Sequence, residues 1–308
     1  MTDDYYRLRM SSEDVLNLSF QARMLRLDDL LNESQEILES SINKYILEEN
    51  KKLSNVCVLF SGGNDSTTLL HIMKDKADVV LHANTGIGIS ETTEFVKNTC
   101  NLFNMKLRIY QPTEKNAYHN LVKNLGFPGP ANHYIMYHKL KEDPLLKARG
   151  EFNKRGHRLV FLSGRRRDES VRRANLESSK VYKNILWVSP IINWTKADLA
   201  LYRKINSSIP RNQVSDLIHM SGECLCGAFA HKGEREEIKM FFPHVIEQIE
   251  RLEKELIDIG KHKPERCVWG WGAYRPKKQN KKVGELCSSC ETAQFETENP
   301  SIKVQFDE

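Results

Sequence analysis

The 308-residue sequence predicts an α/β protein built on a mainly parallel sheet of five or more strands flanked by helices. Three observations predict it. Short continuous apolar runs recur along the chain, stretches of helical period separate them, and the first run leads directly into Ser61-Gly62-Gly63. A strand buried on both faces reads as an unbroken apolar run, and successive parallel strands need crossovers that helices supply.

Residues 1–50 read as a helical segment. Ile37, Leu38, Ile42, Tyr45 and Ile46 make one apolar face, and Asn32 and Gln35 are spaced as a capping box. Residues 51–215 carry the α/β pattern. Val56-Cys57-Val58-Leu59-Phe60 is its first strand, and similar runs follow at 79–81, 107–110, 159–162 and 185–188. Helical stretches lie between them at 66–76, at 91–104 and after Asp168. In open sheets of this kind ligands bind beyond the carboxyl ends of the strands. A site is therefore expected in the loops after Phe60, Ala83, Leu162 and Val188.

Residues 216–308 read as a cysteine-rich, helical C-terminal subdomain. Phe242, Val245, Ile246, Ile249, Leu252, Leu256 and Ile259 fall on one helical stripe, with Gly260 as the stop. A stripe of this period reads as a core helix before it reads as a partner-binding one. The stretch after Glu291 is polar and reads as a poorly ordered end.

Composition narrows the functional classes. Hydrophobic content of 40% and charged content of 28% are ordinary for a folded globular chain. No apolar run approaches the ~18 residues of a membrane span, and the opening MTDDYYRLRM lacks the apolar core of a secretory signal. A cytoplasmic protein with no membrane partner is the expectation. The net charge of +5 permits a polyanionic partner without demanding one. Seven cysteines without a secretion signal argue against a disulfide framework; five of them fall in the last third.

A strand entering Ser61-Gly62-Gly63-Asn64-Asp65-Ser66 and then a helix is an anion site in outline. Glycines let the backbone approach a phosphate, and a helix N-terminus adds partial positive charge. Ser61 and Ser66 can donate hydroxyl hydrogen bonds, and Asp65 suits magnesium or a helix cap. A plain strand-to-helix turn with an Asp cap is the other reading of these residues.

The loop lacks the lysine of G-x-x-x-x-G-K-[ST] and does not match G-x-G-x-x-G. It resembles the S-G-G-x-D-S signature of the PP-loop ATP pyrophosphatase superfamily, which includes the phosphoadenosine phosphosulfate reductase family. Four more segments match in order. They are His82-Ala83-Asn84-Thr85-Gly86 with Glu91; Gly164-Arg165-Arg166-Arg167-Asp168-Glu169-Ser170 with Arg173; Ser189-Pro190-Ile191-Ile192-Asn193-Trp194-Thr195 with Asp198 and Tyr202; and Ser221-Gly222-Glu223-Cys224-Leu225-Cys226. The resemblance runs from about residue 50 to 230. It implies that Ser61, Gly62, Gly63, Asp65 and Ser66 hold phosphate or Mg2+, and that Thr85 and Gly86 lie near the nucleoside. It also implies that Arg166 and Arg173 bind phosphate or an anionic substrate, with Asp65, Arg166 and Arg173 the catalytic set. The planar guanidinium fork suits that work, whereas a solvated basic turn is the bland reading of Arg165–Arg167. Asn64 stands where many relatives carry lysine, which leaves that charge to another residue.

Reductases of this family resemble one another in a C-terminal Glu-Cys-Gly-type tail. This sequence has its last cysteine at Cys290 and ends without one. The resemblance therefore implies the ATP-splitting branch: cleavage of ATP between the α- and β-phosphates, adenylation of an oxygen, then displacement by a nucleophile, often sulfur. Cys224-Leu225-Cys226 and Cys287-Ser288-Ser289-Cys290 are two close pairs, with Cys267 between them. Convergence on zinc or an iron–sulfur cluster through Cys224, Cys226, Cys287 and Cys290 is the favoured reading. A redox dithiol and inert buried thiols are the others.

An ATPase of this kind beside a cysteine cluster resembles the ATP pyrophosphatase components of DNA phosphorothioation systems, where a cysteine desulfurase supplies sulfur. That implies DNA and such a donor as partners. Lys277, Lys278, Lys281 and Lys282, near Tyr274 and the tryptophans, suit either a DNA backbone or a solvated loop. A sulfonucleotide reductase or sulfate-activating relative, and a non-catalytic nucleotide-binding subunit, are the alternative functions.

Overall fold

The computed structural model describes residues 10–274. Cys287, Cys290 and the four lysines between 277 and 282 lie outside them, as does the polar stretch after Glu291. Six strands form one sheet: β1 (Lys52–Leu59), β2 (Val79–Ala83), β3 (Leu107–Tyr110), β4 (His157–Leu162), β5 (Ser179–Tyr182) and β6 (Ile185–Val188). Their order across the sheet is β3-β2-β1-β4-β6-β5. All neighbours pair in parallel except β5 and β6, which are antiparallel. The fold is therefore the expected α/β class with one strand added at an edge.

That edge strand corrects the helix expected after Asp168. Short 3-10 turns at Arg167–Glu169 and Val171–Arg173 stand there instead, and β5 follows. Ser-Lys-Val-Tyr is too short and too polar to read as a buried strand. Its turn into β6 uses Lys183 and Asn184, both at positive φ (50° and 60°), the geometry of a tight hairpin.

Alternation along β1 divides the core. Val56, Val58 and Phe60 face one side with Val80, Val160, Leu162, Leu186 and Val188. Against them pack α2 (Phe20–Ile42), α3 (Asn64–Met73), α4 (Ser90–Leu102) and α8 (Lys196–Ile205), which contribute Leu30, Leu69, Val96 and Leu199. Cys57, Leu59, Leu81, Phe161 and Trp187 face the other side and meet α7 (Asp143–Phe152) through Leu145 and Ala148.

Ahead of α2 lies the short α1 (Ser12–Leu16). The capping box expected at Asn32 and Gln35 is absent, because α2 runs unbroken through both. Ser19 caps it instead, accepting from Ala22 N. Residues 20–36, read as helical with the rest of 1–50, already place Phe20, Met24, Leu27 and Leu31 at helical spacing, so Asn32 falls inside the helix and not at its start. Arg26, within that half, is 2% exposed and forms a two-bond ion pair with Asp198 of α8.

Past α8 the chain builds a third cluster. It joins α5 (Tyr118–Leu125), α6 (His133–Tyr137), α9 (Gln213–Ile218), α10 (Glu234–Phe241) and α11 (Pro243–Ile259). The α11 stripe buries Val245, Ile246, Ile249, Leu252 and Leu256, whereas Ile259 is 48% exposed. Among the described residues no helix is long and apolar enough to cross a membrane.

Candidate functional site

The strand order reverses between β1 and β4: the chain leaves β1 towards β2 and β3 on one side, and β4 leads to β6 on the other. A crevice opens at such a switch point, beyond the carboxyl ends of the two strands. Here the loop 61–66 follows β1 and the loop 163–173 follows β4. Both line one cavity of about 260 Å³.

Within the first loop Gly63 caps α3 with an extended backbone (φ −77°, ψ 164°) and offers no side chain, leaving the amide end of the helix accessible. Gly62 holds φ at +81°, and a Cβ there would lie 2.9 Å from Thr92 Cγ2. Only glycine fits both demands. Its carbonyl accepts from Asn212 Nδ2 at 2.9 Å, which fixes the loop from outside. Ser61 Oγ and Ser66 Oγ lie 3.1 Å apart, and Ser66 Oγ donates to Gly63 O at 3.0 Å. Two hydroxyls thus stand together at the start of a ten-residue helix, a geometry that favours an anion.

The second loop brings the charge. Arg166 is 2% exposed and its Nε and Nη2 reach Asp65 Oδ2 at 3.1 and 3.0 Å. Its Nη1 donates to Trp194 O at 3.4 Å. Arg165 is held by Ser163 Oγ and Ser189 Oγ, each 3.2 Å from its Nε. Arg173 pairs with Glu169, and both are buried. Gly164 lets the two loops meet: a Cβ there would lie 3.1 Å from Ser66 N.

The third wall is the segment 219–230. Its residues 222–225 run along the loop 85–89, tied by Ile89 N to Gly222 O at 2.7 Å and Leu225 N to Ile87 O at 2.9 Å. Thr85 is fully buried and donates through Oγ1 to Glu223 O at 2.8 Å. Gly88 presses on the same carbonyl, where a Cβ would stand 2.4 Å away. Backbone cannot yield as a flexible side chain does, so Gly88→Ala is expected to lower stability by about 1–3 kcal/mol. Denaturant unfolding would measure it, and a loss below about 0.5 kcal/mol would count against this docking.

The structure thus gathers Ser61, Gly63, Asp65, Ser66, Arg166 and Arg173 around one cavity, and Cys224 and Cys226 line it too. Gly62, Thr85 and Gly86 are not among its lining residues: Thr85 is a strut beneath Glu223, and Gly86 is an exposed turn. Sequence reasoning passed over Lys141, His133, Tyr137 and the side chain of Glu223, all on the cavity wall. Except for Glu223 they come from the helical region between β3 and β4, where no motif marks them.

Cys224 is partly exposed and Cys226 is buried. The Cys226 thiol donates to the Cys224 sulfur, which lowers Cys224 below the ordinary thiol range, and Lys141 adds to this. The same bond, with burial, holds Cys226 well above it. Cys267 is buried, with Sγ 3.7 Å from Lys263 O. Among the described residues no group of three or more His, Cys, Asp or Glu is arranged to hold a metal ion. The described residues therefore supply one adjacent thiol pair, which by itself does not fit a four-ligand centre. Trp269 is 4% exposed and donates from Nε1 to Leu225 O at 2.8 Å, so its ring is packed rather than offered to a base.

His133 faces Phe229 with ring centroids 4.6 Å apart. Burial, with Lys141 assisting, pushes its pKa down to about 4. An unfolded histidine titrates near 6.5, so the resulting stability is present above that value and is lost as pH falls towards 4. By pH 5 the loss is expected to reach about 2 kcal/mol, seen in unfolding curves between pH 7 and 5. His133→Gln should flatten that dependence only partly, because burial lowers His82 as well.

A glycine–serine loop at the switch point of a parallel sheet, faced by arginines, defines the class: a phosphate-loop nucleotide protein of the PP-loop type. Residues 55–215 match the family model described as phosphoadenosine phosphosulfate reductase domain, and the chain belongs to that family. It is 27% identical over 151 residues to the phosphoadenosine 5'-phosphosulfate reductase of Vibrio vulnificus (strain YJ016), covering 47% of this chain and 55% of that one. With the enzyme of the same name from Vibrio campbellii it shares 25% identity over 196 residues, 61% of this chain and 72% of the relative. The chain spans only about half the length of the first of these.

Among solved structures it is similar to the phosphoadenylyl-sulfate reductase of Candida auris in a phosphate complex (TM-score 0.44, 20% identity, 65% of this chain and 93% of that one). It is also similar to the U34-tRNA thiolase NcsA of Methanococcus maripaludis with its [4Fe-4S] cluster (TM-score 0.43, 13% identity, 85% and 88%).

Proposed function

We propose that the chain is an ATP pyrophosphatase that adenylates an acceptor oxygen for sulfur transfer, with DNA phosphorothioation as its setting. The observation that carries this reading is the meeting of the loop 61–66 with Arg166 over one cavity, through the Asp65–Arg166 ion pair. A polyphosphate seated there would meet backbone amides, two serine hydroxyls and a buried guanidinium.

Asp65 supplies a carboxylate oxygen beside Ser66, a hard-donor set that suits Mg2+. When bound, the ion neutralises charge on the departing phosphates. The chain's own residues do the rest. Ser61, Ser66 and the α3 amides orient the β- and γ-phosphates, and Arg166 takes up charge as the bond from α-phosphorus to the bridging oxygen breaks. An acceptor oxygen bonds to the α-phosphorus and pyrophosphate leaves. A sulfur nucleophile then displaces AMP from the adenylated acceptor, here a non-bridging oxygen of the DNA backbone.

A cysteine desulfurase is the proposed sulfur donor: the outer sulfur of its persulfide bonds to phosphorus as AMP leaves, and a free thiol, supplied by excess cysteine, then takes the inner sulfur as a disulfide and releases the phosphorothioate. A zinc or iron–sulfur centre remains part of this reading only if Cys287 and Cys290 join the Cys224–Cys226 pair.

The test incubates the protein with ATP, Mg2+, duplex DNA and a cysteine desulfurase with cysteine, and measures AMP, pyrophosphate and phosphorothioate. Formation of AMP and pyrophosphate in equal amounts is expected. The names of the relatives favour the second reading, a sulfonucleotide reductase. Consumption of phosphoadenosine phosphosulfate with a thiol donor, and no AMP from ATP, would establish that reading and sink the first.

A further inference from the structure

The cavity continues past the phosphate loop to a wall that the reading above leaves without a task. Glu223 stands there, 6% exposed as a residue. Its Oε2 pairs with Lys141 Nζ at 2.6 Å, and the two side chains are 4% and 15% exposed. Its Oε1 is buried and has no hydrogen-bond partner. A buried carboxylate oxygen without a donor is unfavourable by more than a neutral group would be, so native structures seldom leave one unmet.

Nearby protein does not meet it. The His82 Nδ1 is bonded to Phe60 O at 2.8 Å, and burial keeps the ring neutral, so its remaining nitrogen is itself an acceptor. The backbone of Glu223 is fixed on both sides by Thr85 and Gly88, as described above, which holds the carboxylate in place. The same cavity also has apolar lining: Leu81 and Ala83 from the end of β2, Leu145 from α7, and the ring of Tyr137 from α6.

We propose that Glu223 Oε1 accepts a hydrogen bond from the exocyclic amine of the bound adenine, with Lys141 as the donor beside it. This rests on the adenine-nucleotide reading of the same cleft. A purine offers flat apolar faces and a polar edge, and the wall supplies apolar surfaces with one acceptor and one cation to match. Adenine presents an amine donor next to a ring-nitrogen acceptor along that edge. Hypoxanthine presents the reverse, a carbonyl acceptor next to a ring N–H. The carboxylate therefore selects the first and rejects the second.

Glu223→Gln reverses the polarity of the wall without changing its shape. Lys141 has no acceptor, so it holds the amide through the carbonyl oxygen, which turns the NH2 towards the place of the unmet Oε1. The variant then offers a donor where the native protein offers an acceptor. A merely structural salt bridge would weaken every nucleotide alike and would not move their ratio.

Binding of ATP, ITP and inorganic tripolyphosphate is measured with Mg2+ for the native chain, Glu223→Gln and Glu223→Ala. The native chain is expected to prefer ATP to ITP by about tenfold or more. In Glu223→Gln that ratio should fall to about one or below. Glu223→Ala should show little preference, and unchanged tripolyphosphate binding reports intact folding.

Equal affinity of the native chain for ATP and ITP, or an unaltered ratio in Glu223→Gln, overturns the assignment. So does native affinity that falls with 2'-deoxy-ATP but not with ITP, because the carboxylate would then be reading the sugar. The same comparison with AMP and IMP separates the two readings. Discrimination there, together with failure to split ATP, would sink the ATP pyrophosphatase and leave the base reading standing.

Discussion

Replacing Asp198 by alanine is expected to lower the free energy of unfolding by about 3–5 kcal/mol, measured as a shift of the urea transition. The pair is as deeply placed as any in the described chain, with side chains 3% and 1% exposed. Arg26 Nε reaches Oδ1 and Nη2 reaches Oδ2, each at 3.0 Å. Oδ2 also accepts from Thr195 N and Thr195 Oγ1 at 2.8 Å, closing the capping box of α8. Alanine removes the carboxylate half of the box, leaving Thr195 Oγ1 to accept from the backbone N–H of residue 198, and strands a buried guanidinium at once.

Asp198→Asn should be nearly as damaging, since it keeps the shape and removes the charge. Arg26→Met combined with Asp198→Leu should recover much of the loss, because two apolar groups leave no charge unmatched. A single-variant loss under about 1 kcal/mol would refute this account of the helix–helix joint.

Arg166→Ala is expected to slow ATP cleavage by about 10²–10³-fold while leaving the fold intact. In the proposed reaction the guanidinium would take up charge on the departing pyrophosphate, and water has little access to it. Its partner Asp65 has a side chain 29% exposed, so losing the pair leaves that carboxylate in contact with solvent and the stability change small. Arg166→Lys should recover only part of the rate, because one ammonium cannot hold Asp65 and a phosphate in the fixed fork that a guanidinium provides. Pyrophosphate release, followed alongside the thermal midpoint, separates the two effects. A rate within about threefold of the native protein would remove Arg166 from the proposed chemistry.

The central strands were legible because burial on both faces writes itself as an uninterrupted apolar run, as at Val56–Phe60. β5 was not, because an edge strand needs little apolar character and its hairpin uses Lys183-Asn184 rather than a glycine. The helical character of residues 1–50 was legible as well, but the cap was placed at Asn32 where the helix starts at Ser19, and the ion pair of Arg26 is a buried contact that no hydrophobic period reports. In the cleft, the residues on motif-bearing loops were legible. Glu223 was quoted within a motif but given no task, and Lys141, His133 and Tyr137 carry no local pattern. Only the packing of the 219–230 segment and the α6–α7 region against the sheet brings these four to the same cavity.

The Arg26–Asp198 joint also imposes an order on biosynthesis. The two residues are 172 positions apart, and translation adds about 5–20 residues per second. The helix α2 is therefore made long before its acidic partner leaves the ribosome. For roughly ten to thirty seconds Arg26 must remain hydrated, on a segment whose apolar face already seeks the sheet. Burying that arginine early would be unfavourable, so its charge disfavours docking of α2 on the nascent core until α8 arrives to receive it.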